Sequence, residues 1–314
     1  MQRDWAARLC LGTVQFGMRY GVKNARGRQP TIAECDRVLD AARAGGITYL
    51  DTASAYGTAE EVLGSYGLAG KGFRVCSKLR PDDTERSAED EAAFVVSEAR
   101  ASLARLGIPQ LYGYLLHRAA DMERPGVIDG LAEVQALGLA AHVGVSVYEP
   151  EEAIAVVCDP RLDLIQIPYN ALDQRLDRAG FFDAVRERNA LAQYGDATGE
   201  QPRAFEIFAR SAFLQGLLLM DPAYLPENIA EAAPYVQRFQ EIAERHGYAP
   251  HEAAMLYSLT HAMLDHVVFG VDTEEQLAAN FVVAEKAEAF GVCAEELRGA
   301  FDDVPRRVVV PSLW

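Results

Sequence analysis

The sequence predicts a single α/β domain, a (β/α)8 or TIM barrel that spans residues 1–314. Eight short apolar runs alternate with amphipathic stretches, which is the pattern of βα units around a parallel sheet. The length lies slightly above the ~250 residues typical of one such barrel. The first apolar run is followed by Gly12-Thr13-Val14-Gln15-Phe16-Gly17, which lacks the G-x-G-x-x-G fingerprint of an open dinucleotide-binding sheet. An open doubly wound sheet is therefore the less favoured alternative.

The predicted strands are short apolar runs, each followed by a stretch with helical periodicity. In chain order they are Leu9–Leu11, Ile47–Asp51, Phe73–Lys78, Leu111–His117, His142–Ser146, Leu162–Gln166, Phe205–Arg210 and His266–Gly270.

The helices between the strands carry start and stop signals. Capping boxes of the form S/T-x-x-E/Q predict three helix starts, at Thr31 with Glu34, Thr58 with Glu61, and Thr273 with Gln276. First-turn prolines, whose missing N–H costs nothing there, predict starts at Pro125, Pro150 and Pro250. Glycines that follow helical patterns predict ends at Gly107 and Gly247.

One segment, Ala190–Arg203, is polar, contains glycine and has no periodicity. We interpret it as a loop insertion before the seventh strand, most simply a surface loop. A partner-binding or lid element is the alternative.

The composition excludes several classes of function. The net charge of −16 argues against nucleic acid or an anionic membrane as a partner, because like charges repel. The five cysteines are scattered without a C-x-x-C pair or zinc spacing, so we expect reduced thiols and no metal site. The N-terminal residues lack an apolar core for export, and no apolar run reaches ~18 residues. We therefore expect a cytoplasmic protein.

Polar, titratable residues end three consecutive predicted strands. Asp51 ends the second strand, Tyr56 follows five residues later, and Lys78 and His117 end the third and fourth. Taken singly, each is more often a structural cap or a satisfied polar residue. Because a barrel brings these strand ends to one mouth, and burial of Asp with Lys is costly unless they pair, their joint occurrence indicates an active site.

Such a group suits carbonyl chemistry. Reduction of a carbonyl needs a proton donor at the oxygen while hydride arrives at the carbon. We expect the ammonium of Lys78 to lower the pKa of the Tyr56 phenol and make it a better acid. Asp51 would hold Lys78 in place, and His117 would hydrogen-bond the carbonyl oxygen.

The motifs Asp51-Thr-Ala-x-x-Tyr56-Gly57, Ser77-Lys78-Leu79, Leu115-Leu116-His117 and Gly144-Val145-Ser146 resemble the aldo-keto reductase superfamily in order and spacing, from Leu11 to about Phe281. The resemblance implies an NAD(P)H-dependent oxidoreductase with a catalytic tetrad of Asp51, Tyr56, Lys78 and His117, in which Tyr56 is the general acid. Its substrate would be an aldehyde, a ketone or a sugar-derived carbonyl, or the corresponding alcohol in the reverse reaction.

The resemblance also implies a cofactor site, with each position matched singly. Gly12 and Thr13 match the segment under the nicotinamide ribose, Ser146 and Gln166 the carboxamide ligands, and Tyr169 the ring that stacks on the nicotinamide. The loop beside the pyrophosphate is matched by Ser211, Leu214 and Gly216, and the adenosine end by Gly270, Asp272, Gln276 and Asn280.

Two positions depart from the family pattern. Val147 stands where the family often has Asn after Gly-Val-Ser, so the carboxamide loses one partner. After the eighth strand, Asp272, Glu274 and Glu275 stand where members that prefer NADP(H) place basic residues or Ser. A 2′-phosphate would meet like charge, whereas a 2′-hydroxyl could bond to Asp272. We therefore predict a preference for NAD(H), with NADP(H) as the alternative.

The substrate side is less specified. Phe16, Met18, Tyr20 and Tyr148 could wall a pocket over the nicotinamide, although core packing explains any one of them equally well. The apolar C-terminus could bring Trp314 to the pocket or pack it against the barrel's outside.

Two further functions stay open at this point. A barrel that senses NADH and regulates a protein partner is the main alternative, as the β subunits of potassium channels illustrate, but an intact tetrad favours the enzyme. A metal-dependent sugar isomerase is disfavoured, because the strand ends offer no carboxylate cluster.

Overall fold

The computed structural model describes residues 5–20, 28–194 and 203–314. Its sheet is a closed barrel of eight parallel strands in sequence order, with the eighth strand hydrogen-bonded back to the first. The strands are β1 Leu9–Gly12, β2 Tyr49–Asp51, β3 Arg74–Leu79, β4 Leu111–Leu116, β5 Ala140–Ser146, β6 Leu164–Pro168, β7 Glu206–Arg210 and β8 His266–Gly270. The predicted barrel is confirmed, and each strand end lies within two residues of its predicted position.

The register of the barrel aligns the carboxyl ends of neighbouring strands. Gly12 lies opposite Asp51 on one side and Gly270 on the other, and Ser146 lies opposite Gln166. These last residues of the strands therefore share one edge of the barrel.

Helices surround the strands. They are α1 Val14–Gly17, α2 Ile32–Ala44, α3 Ala59–Tyr66, α4 Ala88–Leu106, α5 Val127–Ala136, α6 Pro150–Cys158, α7 Arg175–Arg178, α8 Phe181–Tyr194, α9 Ala233–Arg245, α10 Pro250–Leu259, α11 Glu274–Ala284, α12 Gly291–Gly299 and α13 Arg306–Val309. Short segments of 3-10 type lie at Ala6–Arg8, Ala119–Glu123, Leu214–Leu219, Pro222–Tyr224, Glu227–Ala232, Ala287–Ala289 and Pro311–Leu313.

Several predicted helix boundaries are confirmed. Thr31 and Glu34 form a capping box at the start of α2, each side chain bonding the other's backbone amide. Pro150 and Pro250 stand in the first turns of α6 and α10. Gly107 ends α4 in the left-handed conformation, with φ of 65°.

Two predicted capping boxes are wrong or incomplete. Thr58 makes no side-chain cap at α3, because its backbone (φ −99°, ψ 19°) departs from the extended conformation of an N-cap; its hydroxyl accepts a hydrogen bond from Gln29 Nε2 at 2.9 Å. Thr273 accepts from the Gln276 amide as predicted, but Gln276 Oε1 accepts from the Asp272 amide at 2.7 Å instead of closing the box.

Two other predictions need correction. α5 begins at Val127 because Gly126, with φ of 89°, is its N-cap, so Pro125 lies outside the first turn. The predicted insertion Ala190–Arg203 begins inside α8, which continues to Tyr194. Residues 195–202 of that segment lie outside the described residues.

Alternate side chains of each strand point into the barrel. One residue from each of seven strands packs into an apolar group separate from the main core, here called the axial cluster, which consists of Cys10, Tyr49, Cys76, Leu115, Leu164, Phe208 and Val268. The intervening strand residues, such as Leu9, Val75 and Ile165, belong to the main core beneath the helices. In these seven strands, the member of the axial cluster therefore fixes which residues face inward.

The five cysteines all lie within the described residues and form no disulfide. In the described part of the chain, no helix combines the length and the apolar composition needed to cross a bilayer.

Candidate active site

A cavity opens at the carboxyl end of the barrel, above the axial cluster. The next inward residue of each of these seven strands lies two positions beyond its cluster member. These residues are Gly12, Asp51, Lys78, His117, Gln166, Arg210 and Gly270. On β5, Ser146 lies beside Gln166. All of these except the deeper Lys78 line a cavity of about 650 Å3. The volume is typical of cofactor and small-molecule sites, and active sites of (β/α)8 barrels occupy this end.

Lys78 forms a buried ion pair beneath the cavity. Its side chain is 1% exposed, and Nζ donates to Asp51 Oδ1 at 2.7 Å and to the Thr52 carbonyl at 2.9 Å. Burial lowers the pKa of Lys78, but Asp51 and the Tyr56 hydroxyl together outweigh it, so the pKa is raised above its usual value. Gln166 Nε2 also donates to Asp51 Oδ1, at 2.7 Å. Lys78 is therefore charged at neutral pH, and its ammonium is held by Asp51 and the Thr52 carbonyl.

The Tyr56 hydroxyl completes this group, with 3.5 Å between its oxygen and Lys78 Nζ. Burial raises the pKa of Tyr56 and outweighs the lowering by Lys78 and Arg210, so the net shift is upward. The expectation of a lowered pKa is therefore corrected, because desolvation is the larger effect in this cavity. The phenol is protonated at neutral pH.

His117 faces Tyr56 edge-on, with ring centroids 5.5 Å apart and planes at 85°. Burial, followed by the positive charges of Lys78 and Arg210, lowers the pKa of His117 to about 3. Its Nδ1 is buried without a hydrogen-bond partner among the described residues. The imidazole is therefore neutral over the physiological pH range.

The loop that carries Tyr56 is fixed from both sides. The amide and hydroxyl of Ser54 donate to the Lys78 carbonyl at 3.2 and 2.9 Å. A Cβ at Gly57, whose φ is 57°, would lie 2.2 Å from the Gly17 carbonyl oxygen, so only glycine allows the two loops to approach. Backbone contacts thus set the position of the phenol.

The loop after β7 forms another wall and holds strained backbone. Ser211, Leu214 and Gln215 have φ of 65°, 47° and 53°, and they are the non-glycine residues with positive φ in the described chain. Each such residue costs roughly 1–3 kcal/mol, and such strain clusters at ligand sites. The side chain of Leu214 points into the core, whereas Ser211 and Gln215 line the cavity.

Comparison with known proteins decides the family. The model of the Aldo/keto reductase family matches residues 8–289. The chain belongs to the aldo/keto reductase family. It is therefore an NAD(P)H-dependent oxidoreductase that acts on carbonyl substrates.

Individual relatives of the family are distant in sequence. Aldo-keto reductase str7 of Strobilurus tenacellus is 24% identical, over 81% of this chain and 82% of its own length. The structure of aldo-keto reductase AKR11C1 from Bacillus halodurans, in its holo form, has a TM-score of 0.66 at 19% identity, covering 94% of each chain. PA4992 from Pseudomonas aeruginosa has a TM-score of 0.63 at 24% identity, covering 90% of each chain. These two structural likenesses support the fold alone.

The structure brings most of the predicted aldo/keto reductase cofactor residues to the cavity. Those on its wall are Gly12, Thr13, Ser146, Gln166, Ser211, Gly216, Gly270, Asp272, Gln276 and Asn280. The wall therefore runs from Tyr56 to the start of α11. Its volume, its polar residues and the loop that contains Ser211 and Gln215 fit a dinucleotide.

Two predicted cofactor residues do not reach the cavity. Tyr169 is fully buried outside the barrel, stacked on Tyr257 at 5.7 Å and bonded to Asp177 at 3.1 Å. It shares the outward parity of Ile165 on β6, which explains why it cannot stack on a ligand at the mouth. Leu214 is the other, as its buried side chain shows.

The predicted substrate residues divide similarly. Tyr20 and Tyr148 line the cavity, whereas Phe16 is 1% exposed in the core and Met18 lies off the cavity wall. The Trp314 indole donates to the Arg307 carbonyl at 3.0 Å and does not line the cavity. Instead, residues 311 and 312 bring the C-terminal segment to the wall.

Sequence reasoning missed two charged or titratable residues on the wall. Arg210 is the last inward residue of β7, and His251 lies in the first turn of α10. The period of two from Phe208 would have found Arg210, but His251 carries no local signal for the cavity.

Proposed function

We propose that this aldo/keto reductase reduces an aldehyde, a ketone or a sugar-derived carbonyl, or runs the reverse oxidation, with Tyr56 as general acid and NAD(H) as the preferred cofactor. The observation that carries the proposal is the chain of contacts from Asp51 through Lys78 Nζ to the Tyr56 hydroxyl, which ends at the cavity.

The four side chains divide the work of proton transfer. When bound, the cofactor supplies the hydride for the carbonyl carbon. Tyr56 donates its phenolic proton to the carbonyl oxygen as negative charge develops there. The Lys78 ammonium stabilises the phenolate that remains, and this effect operates although the resting phenol is protonated.

Asp51 and His117 support that transfer in different ways. Asp51 keeps Lys78 charged and directed at Tyr56. The neutral imidazole of His117 hydrogen-bonds the carbonyl oxygen and orients it toward the phenol.

Charge at the adenosine end supports the preference for NAD(H). Asp272 lines the cavity there, and Glu274 and Glu275 follow in the first turn of α11. Arg37 lies 3.8 Å from Glu274, and His251 lies on the same cavity wall. Among the described residues at this end acidic groups predominate, so a 2′-phosphate would meet like charge, whereas a 2′-hydroxyl would be a donor for an acceptor such as Asp272.

Dissociation constants test the cofactor preference without turnover. We expect tighter binding of NADH than of NADPH by fluorescence titration, and a smaller difference in Asp272→Ser. Tighter binding of NADPH by the unmodified chain would overturn the preference and leave the reductase proposal standing.

Oxidation of NADH and NADPH across a panel of aldehydes, ketones and aldoses tests the activity. We expect turnover of at least one carbonyl, and its loss by roughly 10²–10⁴-fold in Tyr56→Phe, the usual contribution of a general acid. Tyr224→Phe, which removes a hydroxyl from a ring 80% exposed at the surface, is the matched control. Tight cofactor binding without turnover of any carbonyl would favour the regulatory alternative.

A further inference from the structure

Arg210 places a cation inside the cavity, close to the proposed chemistry. It is the inward residue at the end of β7, and its side chain lines the same cavity as Tyr56 and His117. Its charge lowers the pKa of both groups, which shows that the guanidinium is electrostatically coupled to them.

Within residues 5–20, 28–194 and 203–314, the groups that hold Arg210 in place are neutral. Nη2 donates to the Val147 carbonyl at 2.8 Å, Nη1 to Ser211 Oγ at 3.3 Å, and the guanidinium lies 4.1 Å from the centre of the Tyr148 ring. These contacts use only part of the five N–H donors of an arginine. They also fix the plane of the guanidinium.

No carboxylate of a described residue lies within ion-pair distance, 4.0 Å, of Arg210. Arg175, which donates to the Tyr148 carbonyl, shows the contrast, since it contacts both Asp173 and Glu149 at 2.7 Å. A chain with 46 acidic and 30 basic residues can readily supply counter-ions. An arginine left without one in a cavity is costly unless a ligand supplies the negative charge.

We propose that Arg210 binds an oxyanion of the substrate, a carboxylate or a phosphate, and so selects carbonyl compounds that carry a negative charge. This inference rests on the reductase activity proposed above. The planar fork of arginine suits a two-oxygen contact with such a group. Because the net charge of −16 repels anions from the protein as a whole, the local cation also explains how an anionic substrate enters.

Matched substrate pairs test the selectivity. Succinic semialdehyde is compared with butanal, and glyceraldehyde 3-phosphate with glyceraldehyde, in the unmodified chain, Arg210→Gln and Arg210→Lys. We expect Arg210→Gln to lower kcat/KM for the anionic member of one pair by about 10- to 100-fold while the neutral member changes little, as expected for loss of hydrogen bonds to a charged group. Arg210→Lys should recover part of the loss. The pair that responds distinguishes a carboxylate from a phosphate.

A control variant and a binding measurement test the role of Arg210 separately from turnover. Arg245→Gln removes one positive charge from a side chain 60% exposed on α9 and should leave both members of each pair unchanged. Calorimetric titration with succinate and with inorganic phosphate needs no turnover, and we expect one of them to bind the unmodified chain but not Arg210→Gln.

Two results would overturn the assignment. One is an equal loss for charged and neutral carbonyls together with weaker NADH binding in Arg210→Gln, which would make Arg210 a cofactor ligand. The other is binding of neither anion to the unmodified chain. Anion binding that depends on Arg210, without reduction of any carbonyl, would keep the anion site and reject the reductase activity.

Discussion

Replacement of Lys78 by Met separates the electrostatic role of this residue from its structural role. Its ammonium lies 3.5 Å from the Tyr56 oxygen. Two opposite unit charges about 4 Å apart interact by roughly 4 kcal/mol at an effective dielectric constant near 20. If half to all of the phenolic proton has left in the transition state, loss of the ammonium costs about 2–4 kcal/mol, or roughly 30- to 1,000-fold in kcat/KM. We expect a loss in this range in stopped-flow or steady-state oxidation of NADH.

The same substitution also removes one partner of the buried ion pair, so stability must be measured beside activity. Asp51 would keep Gln166 as a donor but lose its counter-ion, which costs about 3–5 kcal/mol in other buried pairs. The double variant Lys78→Met with Asp51→Asn removes both charges and should regain stability in urea unfolding without regaining activity. Two results would refute this electrostatic role of Lys78. One is a kcat/KM of Lys78→Met within about threefold of that of the unmodified chain, and the other is a double variant that regains kcat/KM together with its stability.

Burial lowers the pKa of His117 to about 3 in the folded chain, so we expect no inflection from this group near pH 6.5 in the pH profile of kcat/KM. We also expect the free energy of unfolding to fall as pH falls from about 6.5 toward 3, and to fall less in His117→Gln, which urea unfolding across this pH range measures. Thr31→Ala removes the cap of α2 and should cost about 1 kcal/mol in the free energy of unfolding; no change would contradict the capping box. Gly57→Ala should lower kcat by displacing Tyr56. The control Gly107→Ala has a similar φ of 65° but no atom within 4 Å of the added Cβ, so it should lower only stability, and equal effects of the two variants on kcat would contradict this.

The fold could be predicted because apolar runs and amphipathic stretches alternate throughout the chain. The positions of the inward residues could also be predicted, since a period of two carries each strand from the axial cluster to the cavity. The position that the resemblance implies for Tyr169 conflicts with this period, which places its side chain outside the barrel. Gln166 faces inward on β6 and Tyr169, three residues later, faces outward.

Other features of the site depend on tertiary structure that the sequence does not show. The pKa of Tyr56 reflects a balance between burial and nearby cations, in which burial dominates, and the degree of burial depends on the fold. The strained backbone at Ser211 and Gln215 has no glycine signal at those positions. Thr58 carries no cap at α3, and its hydroxyl bonds Gln29, a residue distant in sequence. The pKa of Tyr56 and the hydrogen bond of Thr58 both depend on contacts between segments that are separate in the sequence.

Single-turnover reduction by Tyr56→Phe tests the role of the phenol most directly. The protein is saturated with reduced cofactor, mixed rapidly with a carbonyl that the unmodified chain reduces, and followed by the loss of nicotinamide absorbance. We expect an unchanged dissociation constant for the cofactor and a chemical step slower by roughly 10²–10⁴-fold. A chemical step as fast as in the unmodified chain would show that the proton comes from another group.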